Sequence, residues 1–170
     1  PISESPEWYW HEWRWYFFKN SLNCVYDCKY CYLKWAFKND FIVYFVNYDY
    51  IKESIKKIDN DNTLDKVNWF YSSDYSDNLA VDNITGFTNE FIDFFWSLKN
   101  SKMEIRTKSI NIKWLLNLKP NNNVEIAFSL NPTEIISKYE LKTPSLDLRI
   151  NAINKLLENN WSVGIRFLPL

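Results

Sequence analysis

Three cysteines make up the whole thiol inventory of this 170-residue chain, and all fall within eight residues: Cys24-Val25-Tyr26-Asp27-Cys28-Lys29-Tyr30-Cys31. An odd count on one short loop makes a poor disulfide framework. A structural zinc site takes four Cys or His ligands, commonly in two pairs. The second pair is missing, and the single histidine, His11, is the only soft ligand left. Three thiolates on one loop suit a four-iron cluster better. Such a cluster needs four cysteines for full ligation, so three leave one iron open. That iron could chelate a small molecule carrying an amino and a carboxylate group. A zinc site completed from another segment or a second chain is the remaining alternative.

Other chemistries are poorly supplied. The two glycines, Gly86 and Gly164, are too few for a dinucleotide or P-loop fingerprint. His11 lies among Trp8, Trp10, Trp13 and Trp15 with no nucleophile motif nearby, and reads as an imidazole packed in an aromatic cluster. The tryptophans are expected to pack, with base stacking as the alternative. Net charge is −1, and Lys52, Lys56 and Lys57 read as a solvated helix face, so charge neither supports nor excludes nucleic acid. No apolar run has membrane-spanning length, and the first residues lack the pattern of a signal peptide, so a cytoplasmic location without membrane contact is expected. The chain begins with Pro1 and its last residues, SVGIRFLPL, read as a strand without a cap, so it is taken as part of a longer protein.

These residues must be positioned by a scaffold. Residues 16–22, 41–47, 67–73, 103–107, 124–130 and 162–168 read as strands. Residues 49–58 and 110–118 read as helices, the second stopped by Pro120. Thr88 is expected to cap a helix bearing Phe91, Ile92, Phe95, Trp96 and Leu98, and Thr143-Pro144 to start one lined by Leu146, Ile150, Ile153 and Leu157. Asn and Asp runs such as Asn121-Asn122-Asn123 mark turns in place of glycines. The alternation predicts an α/β fold, a partial (β/α) barrel with parallel strands and its C-terminal part missing, since about five units are too few to close eight. Residues 1–16 are set apart as a Trp-rich N-terminal extension and 17–170 as the core. In such folds chemistry sits at the carboxyl ends of the strands. That rule selects Cys24 to Cys31, Ser72 to Asp77, Thr107-Lys108 and Ser129 to Asn131.

The spacing C-x3-C-x2-C with an aromatic before the last cysteine resembles the radical SAM superfamily. The run Cys28-Lys29-Tyr30-Cys31-Tyr32-Leu33, with Ser76-Asp77, Ile105 to Lys108 and Ile126 to Asn131, resembles the spore photoproduct lyase family from about residue 17 onward. The resemblance implies a 4Fe-4S cluster on Cys24, Cys28 and Cys31. It implies S-adenosyl-L-methionine (SAM) as co-substrate, cleaved to a 5′-deoxyadenosyl radical that splits a thymine dimer in DNA. It implies that Ser76 and Asp77 meet the SAM amino group, that Lys108 pairs with its carboxylate, and that Ser129 bonds nearby. A zwitterion does call for one anion, one cation and neutral donors. Tyr30 and Tyr32 would flank the cluster and help move a hydrogen atom. The implied partners are a reductant such as flavodoxin or ferredoxin, and DNA. One departure stands out: the family's lyases place a hydrogen-donating cysteine two residues before the Ser-Asp pair, where this chain has Asp74. The neighbouring phenol of Tyr75 is the candidate substitute. A radical SAM enzyme acting on another substrate is the second reading, and a non-catalytic metal-binding module the third.

Overall fold

The computed structural model describes residues 2–6, 13–38, 40–61, 66–72 and 74–167. His11, Trp8 and Trp10 lie outside the described residues. Strand β1, Ile2–Glu4, runs antiparallel beside β2, Trp13–Phe18. The boundary drawn at residue 16 therefore falls inside β2. Past β2 come β3, Ser21–Leu22, β4, Asp27–Cys28, and the one-turn helix α1, Leu33–Ala36.

The strand expected over 41–47 is reduced to β5, Val43–Tyr44, which pairs antiparallel with β3 and takes no place in the main sheet. Phe41 is 77% exposed and Val46 86%, so the apolar composition of this run does not reflect burial. Helix α2, Tyr48–Asn60, then buries Ile51 and Ile55 and leads to β6, Val67–Tyr71. A short helix α3, Asp82–Thr85, ends at Gly86, whose φ of 61° is the left-handed geometry that favours glycine. Helix α4, Phe87–Trp96, starts directly after it. Thr88 is thus inside α4 and is not its cap. Its amide and hydroxyl both donate to the buried Asp82 carboxylate.

Strand β7, Ser101–Thr107, follows. The helix expected over 110–118 shrinks to a 3-10 turn at Leu115–Asn117, and the turn residues Asn121 and Asn123 tie it off by donating to Ile92 O, Phe95 O and Leu98 O. Then come β8, Val124–Leu130, a helix α5, Thr133–Tyr139, that the sequence reading did not contain, and β9, Glu140–Leu141. Helix α6, Leu146–Glu158, is capped by the Ser145 hydroxyl on Leu148 N, two residues later than the Thr143-Pro144 start. Strand β10, Ser162–Phe167, completes the described chain.

The main sheet has the order β1-β2-β6-β7-β8-β10, and every pair after the first is parallel. One face carries the core: Phe18, Phe70, Met103, Ile105, Ile126 and Phe128 meet Ile55, Phe91, Phe95 and Leu156 from the helices. Phe91 stacks on Phe18 at 5.4 Å and on Phe87 at 4.7 Å. Because strand side chains alternate, the in-register set Phe17, Tyr71, Glu104 and Glu125 lies on the opposite face. The parallel direction brings the carboxyl ends of β2, β6, β7 and β8 to one edge, and the loops that leave them form the site. The architecture is the expected α/β partial barrel.

Candidate active site

The cysteine loop is held by its own backbone. Asn23 enters it in the left-handed region, with φ 66°. Strand β4 pairs with β9, setting Cys28 opposite Glu140, and Lys29 N donates to Tyr139 O at 2.7 Å. Cys31 N closes a turn on Cys28 O at 3.0 Å, and α1 starts just beyond. Cys28 is buried and Cys24 and Cys31 are half-buried. Burial, helped by the Asp77 charge, pushes the Cys24 thiol up to about 12. Burial also pushes Cys28 up to about 11, against the lowering pull of Lys108. At Cys24 and Cys28 this favours the protonated thiol, and a bound cation would draw it out as thiolate.

The three cysteines line a cavity of about 400 Å³ together with Tyr30, Tyr32, Ser76, Asp77, Lys108 and Ser129. The structure thus gathers nine of the ten residues singled out from the sequence around one space. Asp74 and Arg106 line it too. Tyr75, the tenth, is not among the lining residues. Its ring meets Tyr32 edge-on at 6.1 Å and Phe37 at 5.9 Å, with Lys19 Nζ 4.3 Å from its centroid.

The strand ends are cross-braced. Asp77 is 7% exposed. Its Oδ1 accepts from Thr107 Oγ1 at 2.7 Å and Ala80 N at 3.1 Å, and its Oδ2 from Lys108 N at 2.7 Å. Burial raises its pKa while these donors pull it down, and burial wins. Oδ2 has one protein donor, which leaves it capacity for another. The Ser76 hydroxyl is bonded to Ser21 Oγ and lies 3.1 Å from Asn78 Oδ1. Asn78 in turn exchanges bonds with Asn20 at 3.0 and 3.2 Å and donates to Ser72 O at 2.8 Å. This amide pair, absent from the sequence reading, locks the second residue after β2 to the turn after β6. A buried Asn in each of two strand-end segments is its sequence signature, but not one that spacing reveals.

A second brace was equally invisible. Tyr30 Oη donates to Glu140 Oε1, which also accepts from Asn131 Nδ2 at 2.7 Å. Glu140 Oε2 accepts from Arg149 Nη2 at 2.6 Å, and both side chains are 0% exposed. Arg149 also donates to Ser129 O at 2.9 Å, Thr143 Oγ1 at 2.7 Å and Pro144 O at 3.0 Å. The pair therefore joins the cysteine loop, the end of β8 and α6. Burial works to raise the Glu140 carboxyl, but its three hydrogen bonds and the Arg149 charge leave it below the usual range. Burial and the Glu140 carboxylate both raise the Tyr30 phenol. Tyr32, 52% exposed, donates to Asp74 O at 2.7 Å.

Among the described residues no three His, Cys, Asp or Glu side chains converge closely enough to hold one metal ion. A mononuclear zinc site needs that convergence. A polynuclear cluster does not, because each thiolate takes its own iron. Cys24, Cys28 and Cys31 line one cavity, and a donor set of three thiols suits such a cluster.

The family model described as spore photoproduct lyase matches residues 16–170. The chain belongs to the spore photoproduct lyase family. It is 31% identical over 146 residues to the spore photoproduct lyase of Clostridium acetobutylicum, covering 83% of this chain and 42% of that protein. It is 27% identical over 148 residues to that of Bacillus subtilis, covering 86% and 43%. A substituted spore photoproduct lyase with bound AdoMet and dinucleoside spore photoproduct superposes with a TM-score of 0.85 at 25% identity, covering 91% of this chain and 45% of that one. The enzyme complexed with dinucleoside spore photoproduct gives 0.82 at 25% identity, covering 88% and 44%. The chain thus spans less than half the length of these relatives. No helix among the described residues is long and apolar enough to cross a membrane.

Proposed function

We propose that this chain is the cluster- and SAM-binding part of a radical SAM enzyme, with spore photoproduct or a related nucleobase lesion as substrate. The observation that carries the reading is the convergence of Cys24, Cys28 and Cys31 with Ser76, Asp77, Lys108 and Ser129 on one cavity. The three cysteines would hold a 4Fe-4S cluster. When bound, that group supplies the electron that cleaves SAM to a 5′-deoxyadenosyl radical. The protein's part is to orient and to exclude water. The Lys108 ammonium offers a charge-assisted partner to the SAM carboxylate. Asp77 Oδ2, with capacity for another donor, and the Ser76 hydroxyl would meet the SAM ammonium, and Ser129 would give a neutral contact. Tyr30 is held by Glu140, so its phenolic hydrogen points at a carboxylate and its ring forms cavity wall. Tyr32 is the more accessible phenol.

Asp74 favours a second reading, in which the same machinery serves another substrate. It lines the cavity where the resemblance implies a hydrogen-donating cysteine. A carboxyl group has no weak X–H bond to give. Dimer repair would then need Tyr32, or Tyr75 after movement, as the hydrogen source.

Anaerobic reconstitution tests the core proposal. The protein is expected to take up about four iron and four sulfide per chain and, with dithionite and SAM, to release 5′-deoxyadenosine. Zinc uptake without sulfide would sink it. Incubation with dinucleoside spore photoproduct then separates the readings: thymidine release supports repair, whereas 5′-deoxyadenosine with an unchanged dinucleoside supports the second substrate.

A further inference from the structure

Asp74 and Arg106 border two spaces at once. Both line the cavity of about 400 Å³, and both line a recess of about 40 Å³ whose other walls are Phe17, Tyr71, Ser72 and Glu104. Phe17, Tyr71 and Glu104 place the recess on the sheet face away from the helices. With a tenth of the cavity's volume, it takes the edge of a group lodged in the cavity and not the whole group. Ser72 N and Oγ both donate to Glu104 O, at 3.3 and 3.2 Å, which lays the start of the Asp74 loop along β7 beside Arg106.

Each of the two residues is held in place and keeps a spare polar edge. Glu104 Oε1 accepts from Arg106 Nε at 2.8 Å and from its Nη2 at 2.7 Å, while Glu104 Oε2 is taken by Arg166. The guanidinium is thus fixed from behind, 5.8 Å from the centroid of Tyr71, whose ring stacks on Phe17 at 5.3 Å. Among the described residues nothing accepts from its Nη1. Asp74 is fixed through its backbone, where its carbonyl accepts from Tyr32 Oη at 2.7 Å. Among the described residues no donor reaches its carboxylate. Burial raises that carboxyl, and the charges of Lys19 and Arg106 pull it back.

We infer that Asp74 and Arg106 are specificity residues that read the imide edge of a pyrimidine base, Asp74 accepting from the ring N–H and Arg106 Nη1 donating to the carbonyl beside it. The inference rests on the nucleobase reading above and deepens it, since it assigns a binding role to the position where the resemblance implies a thiol. The charges around the recess select the ligand. A phosphate or carboxylate entering it would meet Asp74, and a cation would meet Arg106 and Lys19. An apolar group would desolvate both side chains and return no hydrogen bond. A neutral group with an N–H next to a C=O satisfies the carboxylate and the guanidinium together, and the Tyr71–Phe17 stack gives its ring a face to lie against. A site built this way discriminates by the missing hydrogen bond more than by size, because an analogue without the N–H leaves the carboxylate unpaired.

Titration calorimetry with two ligands tests this, on cluster-free protein and on reconstituted protein with SAM. One ligand is dinucleoside spore photoproduct, and the other is the same molecule methylated at N3 of both bases. The wild type should bind the methylated ligand about tenfold more weakly, the scale of one hydrogen bond to a charged group. Asp74→Ala should bind the parent ligand about tenfold more weakly and no longer distinguish the two. Arg106→Gln should weaken both ligands about equally, because both keep the carbonyl. The comparison of ligands on the wild type needs no variant to fold. Equal affinity of the wild type for the two ligands overturns the proposal, and so does a wild type that binds neither. Discrimination that survives intact in Asp74→Ala overturns it as well, since the N–H would then be read elsewhere. If no cluster forms but cluster-free protein still separates the ligands, the cluster reading falls and the imide reader stands. If SAM is cleaved while the two ligands bind alike, only the imide reader falls.

Discussion

Asp77 shows what a residue type conceals. Its position after β6 and its charge suggest a ligand contact, and both readings of the sequence placed it there. In the structure its carboxylate first serves the protein, accepting from Thr107 Oγ1, Ala80 N and Lys108 N. The bond to Lys108 N fixes the backbone that aims the lysine. Asp77→Asn replaces one acceptor oxygen with a donor facing donors. The cost of a buried, unsatisfied group sets the expectation at about 1–3 kcal/mol of stability, with SAM affinity lost alongside. Thr107→Val removes the donor to Oδ1 and also the acceptor of Ser109 N at 2.8 Å, while Oδ1 keeps its Ala80 partner, so a loss of about 1 kcal/mol for each bond is expected. Urea unfolding of both variants checks these costs, and a Thr107→Val protein as stable as wild type would show that neither Thr107 bond contributes. Cys24, Cys28 and Cys31 were legible because their chemistry is carried by spacing on one loop. Asn20 and Asn78 were not, because they are 58 residues apart and their pairing exists only once the strands are assembled.

At the scale of elements, the short α5 and β9 matter more than their length suggests. The sequence reading passed over residues 133–141 because seven helical residues after a proline give too short a stripe to register a period. The apolar run 41–47 failed in the opposite sense: its composition is that of a strand, but the sheet has no edge there to receive it. Strand β9 places Glu140 against the cysteine loop, and α6 supplies Arg149 from behind. Breaking such a buried pair leaves a charge without a partner. Arg149→Met should therefore cost about 3–5 kcal/mol, whereas Glu140→Gln/Arg149→Met should recover much of that loss. The pH dependence has a definite sign. A carboxyl whose folded pKa is depressed contributes stability that is complete above its unfolded value, about 4.3, and lost as pH falls through the folded value. Unfolding free energy measured from pH 6 to pH 3 should drop less steeply in the double variant than in the wild type. Parallel slopes would mean Glu140 is not a source of the acid sensitivity.

Across the whole molecule, a parallel sheet of β/α units was readable from the alternation, because α2, α4 and α6 carry periodic apolar faces and parallel neighbours need crossovers, although the crossover from β7 to β8 holds only a 3-10 turn. What the pattern could not reveal is how the sheet face away from the helices is held. There Arg166 on β10 reaches Glu104 on β7 at 2.5 Å and Glu125 on β8 at 2.6 Å, while Arg106 holds the other oxygen of Glu104 at 2.7 Å. Gly164 makes this possible, because a Cβ there would stand 2.4 Å from Glu125 Oε1 and 2.9 Å from Arg166 Nη1. The network spans three strands and clamps β10, which lies at the end of the sheet order. Glu104 is 1% exposed, so it depends on both arginines for charge balance, whereas the half-exposed Arg166–Glu125 contact adds little by itself. Arg166→Met should consequently loosen the end of the sheet before its centre. Hydrogen exchange in residues 162–167 is expected to rise well ahead of that in residues 101–107, because local openings take the least-tethered unit first. Gly164→Ala, which displaces Glu125 by contact alone and keeps every charge, should give the same regional pattern in weaker form. If instead both variants speed exchange uniformly across β7, β8 and β10, the strands open together and the charge network is not what holds β10 to them.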